Sequence, residues 1–258
     1  MPECHLVYFF KYREGFDDAW YEEQWLQREL SVPGVVQTRS WKTIFAERQA
    51  YMPPNEYDRM TEVRFANQRD AEAALCNRTS LWRVENREGL DRFEGIVVGP
   101  KPEYNLLADV PPQQYPFMTM PLAWRTGQPP DVPPPNTTNL VRYMYFFKYR
   151  DDVDIRLGEE WYLGHHTREG KQLPGIQTYI TWRHRPLTGL RDAIPEIANF
   201  SRYTEIGYES IEYQQRAVNF EGPHFVPSIH YRSGVAWDTD AYRNFYIPED
   251  PDILLRSE

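Results

Sequence analysis

The stretch WYEEQWLQRELSVPGVVQTRSW, Trp20–Trp41, returns later in the same chain as WYLGHHTREGKQLPGIQTYITW, Trp161–Trp182, without a gap. Two further blocks repeat in the same order. VYFFKYR (Val7–Arg13) comes back as MYFFKYR (Met144–Arg150), and DRMTEVRF (Asp58–Phe65) as SRYTEIGY (Ser201–Tyr208). Three blocks in constant order mean a duplicated unit, and one repeat must explain both halves of the fold.

Each copy has the same local pattern. The aromatic runs LVYFFKY and RYMYFFKY read as strands. The Trp-Tyr segment then places Trp20, Tyr21, Trp25, Leu26 and Leu30 at helical spacing. Pro33-Gly34 and Pro174-Gly175 end that helix. VVQTRSW and IQTYITW alternate as second strands, and RMTEVRF and RYTEIGY as third strands. NQRDAEAAL and ESIEYQQRAV have helical character, and a fourth strand is expected near GIVVG and near FVPSIHY. The order β-α-β-β-α-β is the ferredoxin-like motif, with helices on one sheet face and the other face bare. A bare face needs a second sheet, and two copies supply one. The expected fold is α+β: two ferredoxin-like repeats packed sheet to sheet, related by a pseudo-two-fold axis.

The repeats set the expected domains: an N-terminal repeat over 1–105, a connector over 106–140, a C-terminal repeat over 141–232 and an extension over 233–258. The connector is rich in proline, which fixes φ and donates no backbone hydrogen bond, so regular structure is not expected there. Its apolar YPFMTMPLAW should pack on the repeats.

Composition narrows the partners. A net charge of −9 with no cluster of basic residues argues against nucleic acid and anionic membrane. Two cysteines do not imply a disulfide framework, and no apolar run reaches a membrane span, so a cytoplasmic protein is expected. Aromatic residues make up 15% of the chain, with 18 Tyr and 8 Trp, which suits an aromatic-lined cavity as well as core packing.

FFKYR, EEWYLGHH…LPGIQTY and SRYTEIGYES together resemble the EthD-like branch of the dimeric α+β barrel superfamily. The resemblance covers most of 141–231 and, more weakly, 5–105. It implies an intrachain dimeric α+β barrel, the duplication replacing a pair of chains, though a homodimer of the whole chain stays open. It also implies a small-molecule site at His166, with His165 beside it. Similar proteins include lyases, dehydratases, decarboxylases and isomerases of aromatic compounds, and other barrels of the superfamily bind haem. The first copy departs from the pattern: Gln24 and Trp25 stand where the second has His165 and His166. Histidine chemistry therefore belongs to the C-terminal copy.

Imidazole serves as acid or base near neutral pH, so His166 is the candidate general acid/base, against the alternative of a hydrogen-bonded packing histidine. Adjacent helical residues point about 100° apart, so His165 and His166 cannot aim at one point. Period-2 alternation sets Tyr203 and Glu205 on one face of the third strand and Arg202 and Thr204 on the other. Tyr203 and Glu205 are expected to face the cavity and to orient His166 or shuttle a proton. Candidate substrate-binding residues are Tyr145, Trp161, Tyr179, Arg183 and Arg202, an Arg holding any carboxylate. No metal-ligand spacing, nucleotide-binding glycine motif or nucleophile elbow is present, and His184, His224 and His230 have no spacing that requires a metal. The leading expectation is a cofactor-independent decarboxylase, dehydratase or isomerase of an aromatic or conjugated small molecule. The alternatives are a non-catalytic ligand-binding barrel and a haem-dependent oxidoreductase.

Overall fold

A computed structural model describes residues 3–46, 55–108, 140–171, 175–219, 237–238 and 240–257. The first repeat runs β1 (Cys4–Tyr12), α1 (Asp18–Trp20, Tyr21–Trp25 and Leu26–Leu30, continuous), β2 (Val35–Lys42), β3 (Arg59–Phe65), α2 (Gln68–Leu75) and β4 (Leu90–Val98). A short β5 (Tyr104–Asn105) leads to the second repeat: β6 (Val141–Phe147), α3 (Ile155–Trp161, Tyr162–His166 and Thr167–Gly170, continuous), β7 (Thr178–Arg183), α4 (Leu190–Ala193), β8 (Arg202–Tyr208) and α5 (Ile211–Asn219). The chain closes with β9 (Arg243–Pro248) and β10 (Ile253–Arg256).

Local chemistry fixes the helix ends. Asp17 caps α1 by accepting from the Trp20 amide, and Asp154 caps α3 by accepting from the Arg156 amide. Gly34 and Gly175, equivalent in the repeats, are left-handed, with φ of 89° and 80°. A Cβ at Gly34 would lie 2.4 Å from Asp70 Cβ, so the turn also lets α2 approach. The middle of α1 and of α3 widens into a π-helical turn, Tyr21–Trp25 in one and Tyr162–His166 in the other. Such turns often mark functional sites; here both repeats keep it, so it belongs to the shared scaffold.

Two five-stranded antiparallel sheets result, ordered β10-β2-β3-β1-β4 and β5-β7-β8-β6-β9. Removing the outermost added strands leaves the ferredoxin-like order in each. Those added strands are exchanged: β5, which follows the first repeat, pairs with β7, and β10, at the end of the chain, pairs with β2. The strand beside β6 is Arg243–Pro248, within the stretch expected to be an extension. FVPSIHY, where that strand was expected, lies outside the described residues, as does nearly all of the proline-rich connector. GIVVG does fall at the end of β4.

The sheets face each other across an aromatic core. Phe9 and Phe146, equivalent in the repeats, meet at 4.5 Å between ring centroids, and Phe245, Tyr203 and Trp182 continue the stack. Backbone bonds close the barrel symmetrically: Ile44 N–H donates to Tyr246 on β9, and Arg185 N–H to Val97 on β4. Glu94 and Arg243, also equivalent positions, form a two-pronged ion pair at 2.7 and 3.1 Å. The architecture is an intrachain dimeric α+β barrel. Among the described residues no helix is long and apolar enough to cross a membrane.

Candidate functional site

The layer between the second sheet and α3 is unusually rich in hydroxyls. Strand alternation turns Tyr143, Tyr145 and Phe147 of β6, Tyr179 and Thr181 of β7, and Thr204 of β8 toward α3. Tyr145 hydroxyl bonds Tyr162 hydroxyl at 2.9 Å and Tyr179 hydroxyl at 3.2 Å. Tyr162 continues to Thr204 at 2.8 Å, and Thr204 to Thr181 at 2.8 Å. Tyr143 meets Tyr242 at 2.9 Å. Burial first, and neighbouring phenols second, hold Tyr143 and Tyr145 well above the ordinary phenol range, so both stay protonated.

His166 stands at the end of the π-helical turn, enclosed by rings. Trp161 and Tyr162 lie stacked on it at 5.2 and 5.8 Å, and Trp237 meets it edge-on at 4.7 Å. Burial pushes its imidazole down to about 3, so it is neutral at pH 7. A neutral imidazole accepts a proton, which is the base half of the expected acid/base role. Trp161 is buried, and its indole Nε1 has no hydrogen-bond partner. His165 points to solvent, as the angular separation of neighbours requires.

The expected residues do not all converge. Tyr145, Trp161, Tyr179 and His166 share the layer under α3. Tyr203 and Glu205 lie on the opposite sheet face, where Tyr203 packs between Trp182 and Phe146 and donates to Glu205. Glu205 also pairs with Arg142 at 3.3 Å. The sheet itself separates them from His166, so they cannot orient it. The alternation holds, and it sets this pair and His166 on opposite faces of the sheet. Arg202 faces α3 but is fully buried and held by Glu159 and by Glu103 at 2.6 Å, with its guanidinium over Tyr162. It anchors the layer rather than offering a free cation. Arg183 is exposed at the end of β7.

The first repeat holds the same layer in another form. Trp25, at the position of His166, donates from Nε1 to Tyr8 hydroxyl at 2.9 Å. Tyr8 donates to Glu29 at 2.7 Å, which also accepts from Thr38 at 3.1 Å and Trp82 at 3.2 Å. Glu29 is fully buried, and burial pushes its carboxyl up to about 7. The second repeat has Gly170 at the position of Glu29 and Tyr179 at that of Thr38. A Cβ on Gly170 would stand 3.2 Å from Tyr179 hydroxyl, so the phenol occupies the space of the carboxylate. Glu29 was not singled out in the sequence because a charged residue on an amphipathic helix looks solvated. The paired change, Glu to Gly with Thr to Tyr, was the available signal.

Among the described residues no group of three or more His, Cys, Asp or Glu side chains could hold a metal ion. His224 and His230 lie outside the described residues. Among the described residues of this layer, the donor that a haem iron would take is His166, because the buried hydroxyls of Tyr145, Tyr162 and Tyr179 bond one another. Its neutral imidazole is the form that binds iron.

No protein-family profile and no curated protein sequence matches the chain. Solved structures superpose on it. An anthrone oxidase-like protein superposes with a TM-score of 0.55 at 7% identity, over 100% of this chain and 94% of its own. A mutant chlorite dismutase from Candidatus Nitrospira defluvii in complex with cyanide gives 0.43 at 14% identity, over 95% of this chain and 90% of its own.

Proposed function

We propose that the chain is an enzyme that holds an aromatic, phenol- or ketone-bearing small molecule in the tyrosine-lined layer of its second repeat and oxidises it with dioxygen. The observation that carries this is His166: a neutral imidazole walled by Trp161, Tyr162 and Trp237 and continuous with a buried run of phenol hydroxyls. Aromatic walls select a flat ligand. The phenols, kept protonated by burial, can each turn a hydroxyl from its neighbour toward a developing phenolate oxygen.

A substrate with a CH₂ group between aromatic rings and conjugated to a carbonyl loses a proton to His166. The negative charge delocalises onto oxygen, where tyrosine hydroxyls stabilise it. That anion lies beside the imidazole and favours its protonated form, offsetting the burial that disfavours it. Dioxygen accepts the electrons. Overall, CH₂ and O₂ become C=O and H₂O. The same first step would serve a decarboxylase, dehydratase or isomerase of the EthD-like kind, which differ in the fate of the anion. Oxidation is preferred because it joins this site to a fold shared across the whole chain with an anthrone oxidase-like protein.

Incubating the protein with anthrone in air, against a protein-free blank, tests the reading. The expected product has gained one oxygen and lost two hydrogens, and its formation stops without oxygen. Loss of water or CO₂ from other aromatic substrates, with no oxidation of anthrone, would return the chain to the lyases. A haem-dependent oxidation is the second reading, favoured by the neutral His166. Bound haem would supply redox chemistry at iron, and a Soret band in the purified protein decides it.

A further inference from the structure

β9 carries a buried amide with no counterpart in the first half. Its register sets Asn244 opposite Tyr145 and Tyr246 opposite Tyr143. Cross-strand partners share a face, so Asn244 lies in the layer under α3, whereas Arg243 and Phe245 face the first sheet. The matching position on β4 is Gly95, opposite Tyr8. A Cβ there would stand 2.5 Å from the Val7 carbonyl oxygen. The scaffold thus excludes a side chain in one repeat and accommodates a polar one in the other.

Asn244 is 6% exposed, and its Nδ2 has no hydrogen-bond partner. A buried donor without an acceptor costs stability, and native folds keep few of them. It does not stand alone: Trp161 Nε1 is a second buried donor without a partner in the same layer. Beside Asn244 a cleft of about 440 Å³ opens, with Tyr57, Arg92, Glu94, Tyr242 and Arg243 among its walls. Charges in that cleft are matched, Arg243 to Glu94 at 2.7 Å and Arg92 to Glu56. Its charged groups are engaged with one another, while the unused donor is a neutral amide. Tyr242 belongs to both spaces, lining the cleft while stacking on Tyr145 at 6.0 Å and bonding Tyr143.

Resting on the tyrosine layer as the site, we infer that Asn244 is a substrate-binding residue. The ligand enters by the cleft beside β9, passes Tyr242, and receives a hydrogen bond from Asn244 Nδ2 on a carbonyl or phenol oxygen. The ligand class is a flat aromatic bearing a neutral oxygen acceptor, rather than a carboxylate.

Equilibrium dialysis with fluorenone, and with fluorene as the same carbon frame without the oxygen, tests this. Both probes should bind the wild-type protein, fluorenone more tightly. Asn244→Ala should weaken fluorenone about five- to tenfold, the loss of one net hydrogen bond, and leave fluorene unchanged. Asn244→Asp, which replaces the donor by an acceptor, should weaken fluorenone at least as much. Equal losses for the two probes, or no loss for either, would overturn the role of Asn244 while leaving the site standing. Binding of neither probe by the wild-type protein would overturn the site and the inference together. Thermal melts of each variant identify any that fail to fold, and in that event Asn244→Ser, smaller and still able to donate, should bind fluorenone more tightly than it binds fluorene; equal binding would overturn the role.

Discussion

His166 and Glu29 show how much one enclosed side chain can set. His166 is lowered to about 3 by burial, against 6.5 for a free imidazole. If it is the proton acceptor, kcat/KM should show no acidic limb near pH 6.5, because the base is already unprotonated there. A limb at 6.5 in the pH–rate profile, absent from a His166 variant, would show that the imidazole is more open than this. Glu29 has the opposite sign. Its carboxyl is raised from 4.5 to about 7, so the folded state binds the proton more tightly than the unfolded state. Its full contribution is present below pH 4.5 and is lost as pH rises through 7. Glu29→Gln, whose amide can still donate to Thr38 and accept from Tyr8 and Trp82, should therefore raise stability by about 3 kcal/mol at pH 8. The gain should vanish below pH 4.5, as read from denaturant midpoints across pH.

Residue readability followed the comparison between repeats. His166 stood out because the equivalent position of the first copy is Trp25. Glu29 was hidden, since helix periodicity cannot show that a charged residue lies beneath a neighbouring Trp82. Tyr203 and Glu205 were placed on the right strand face, yet nothing in the alternation says which face holds the site.

At the scale of elements, the buried arginines tie helix to sheet in both repeats. Arg59 pairs with Asp18 and Asp252, and Arg202 with Glu159 and Glu103. Each thus joins its helix to the residue just before an exchanged strand, Asp252 before β10 or Glu103 before β5. Glu159→Ala leaves a fully buried guanidinium with Glu103 as its remaining carboxylate. It should cost about 3 kcal/mol in urea unfolding, the low end for a broken buried pair. An unchanged midpoint would mean that Arg202 is reached by water. The two helices that the copies share and the first three strands of each were readable, because their periodicity is repeated; α4, which has no counterpart in the first copy, was not. The fourth strand of the second repeat was not. Alternation in Tyr242–Ile247 was present, but nothing in it matches GIVVG, and pairing with β6 spans a hundred residues.

For the whole molecule, the two repeats pair sheet to sheet as the halves of one barrel. Phe9 and Phe146 meet near the pseudo-two-fold axis, and Glu94 faces Arg243 where a symmetric pair would set like charges together. The two sheets should therefore unfold as one unit. Phe146→Ala should cost about 3–5 kcal/mol and shift a single transition seen by every probe. Two separated transitions would show that the halves are stable apart. The loop carrying α4 supports the same view, as Leu190, Ile194 and Ile197 pack into the helix-side core of the first repeat.

The central claim is that the second repeat is the active half and His166 its proton acceptor. The direct measurement is oxygen-dependent turnover of anthrone by wild-type protein and by His166→Ala, each beside its thermal melt. The account predicts that the variant melts within a few degrees of wild type and that its turnover falls to the protein-free blank. Wild-type turnover no faster than the blank, or full turnover in a folded His166→Ala protein, would contradict it.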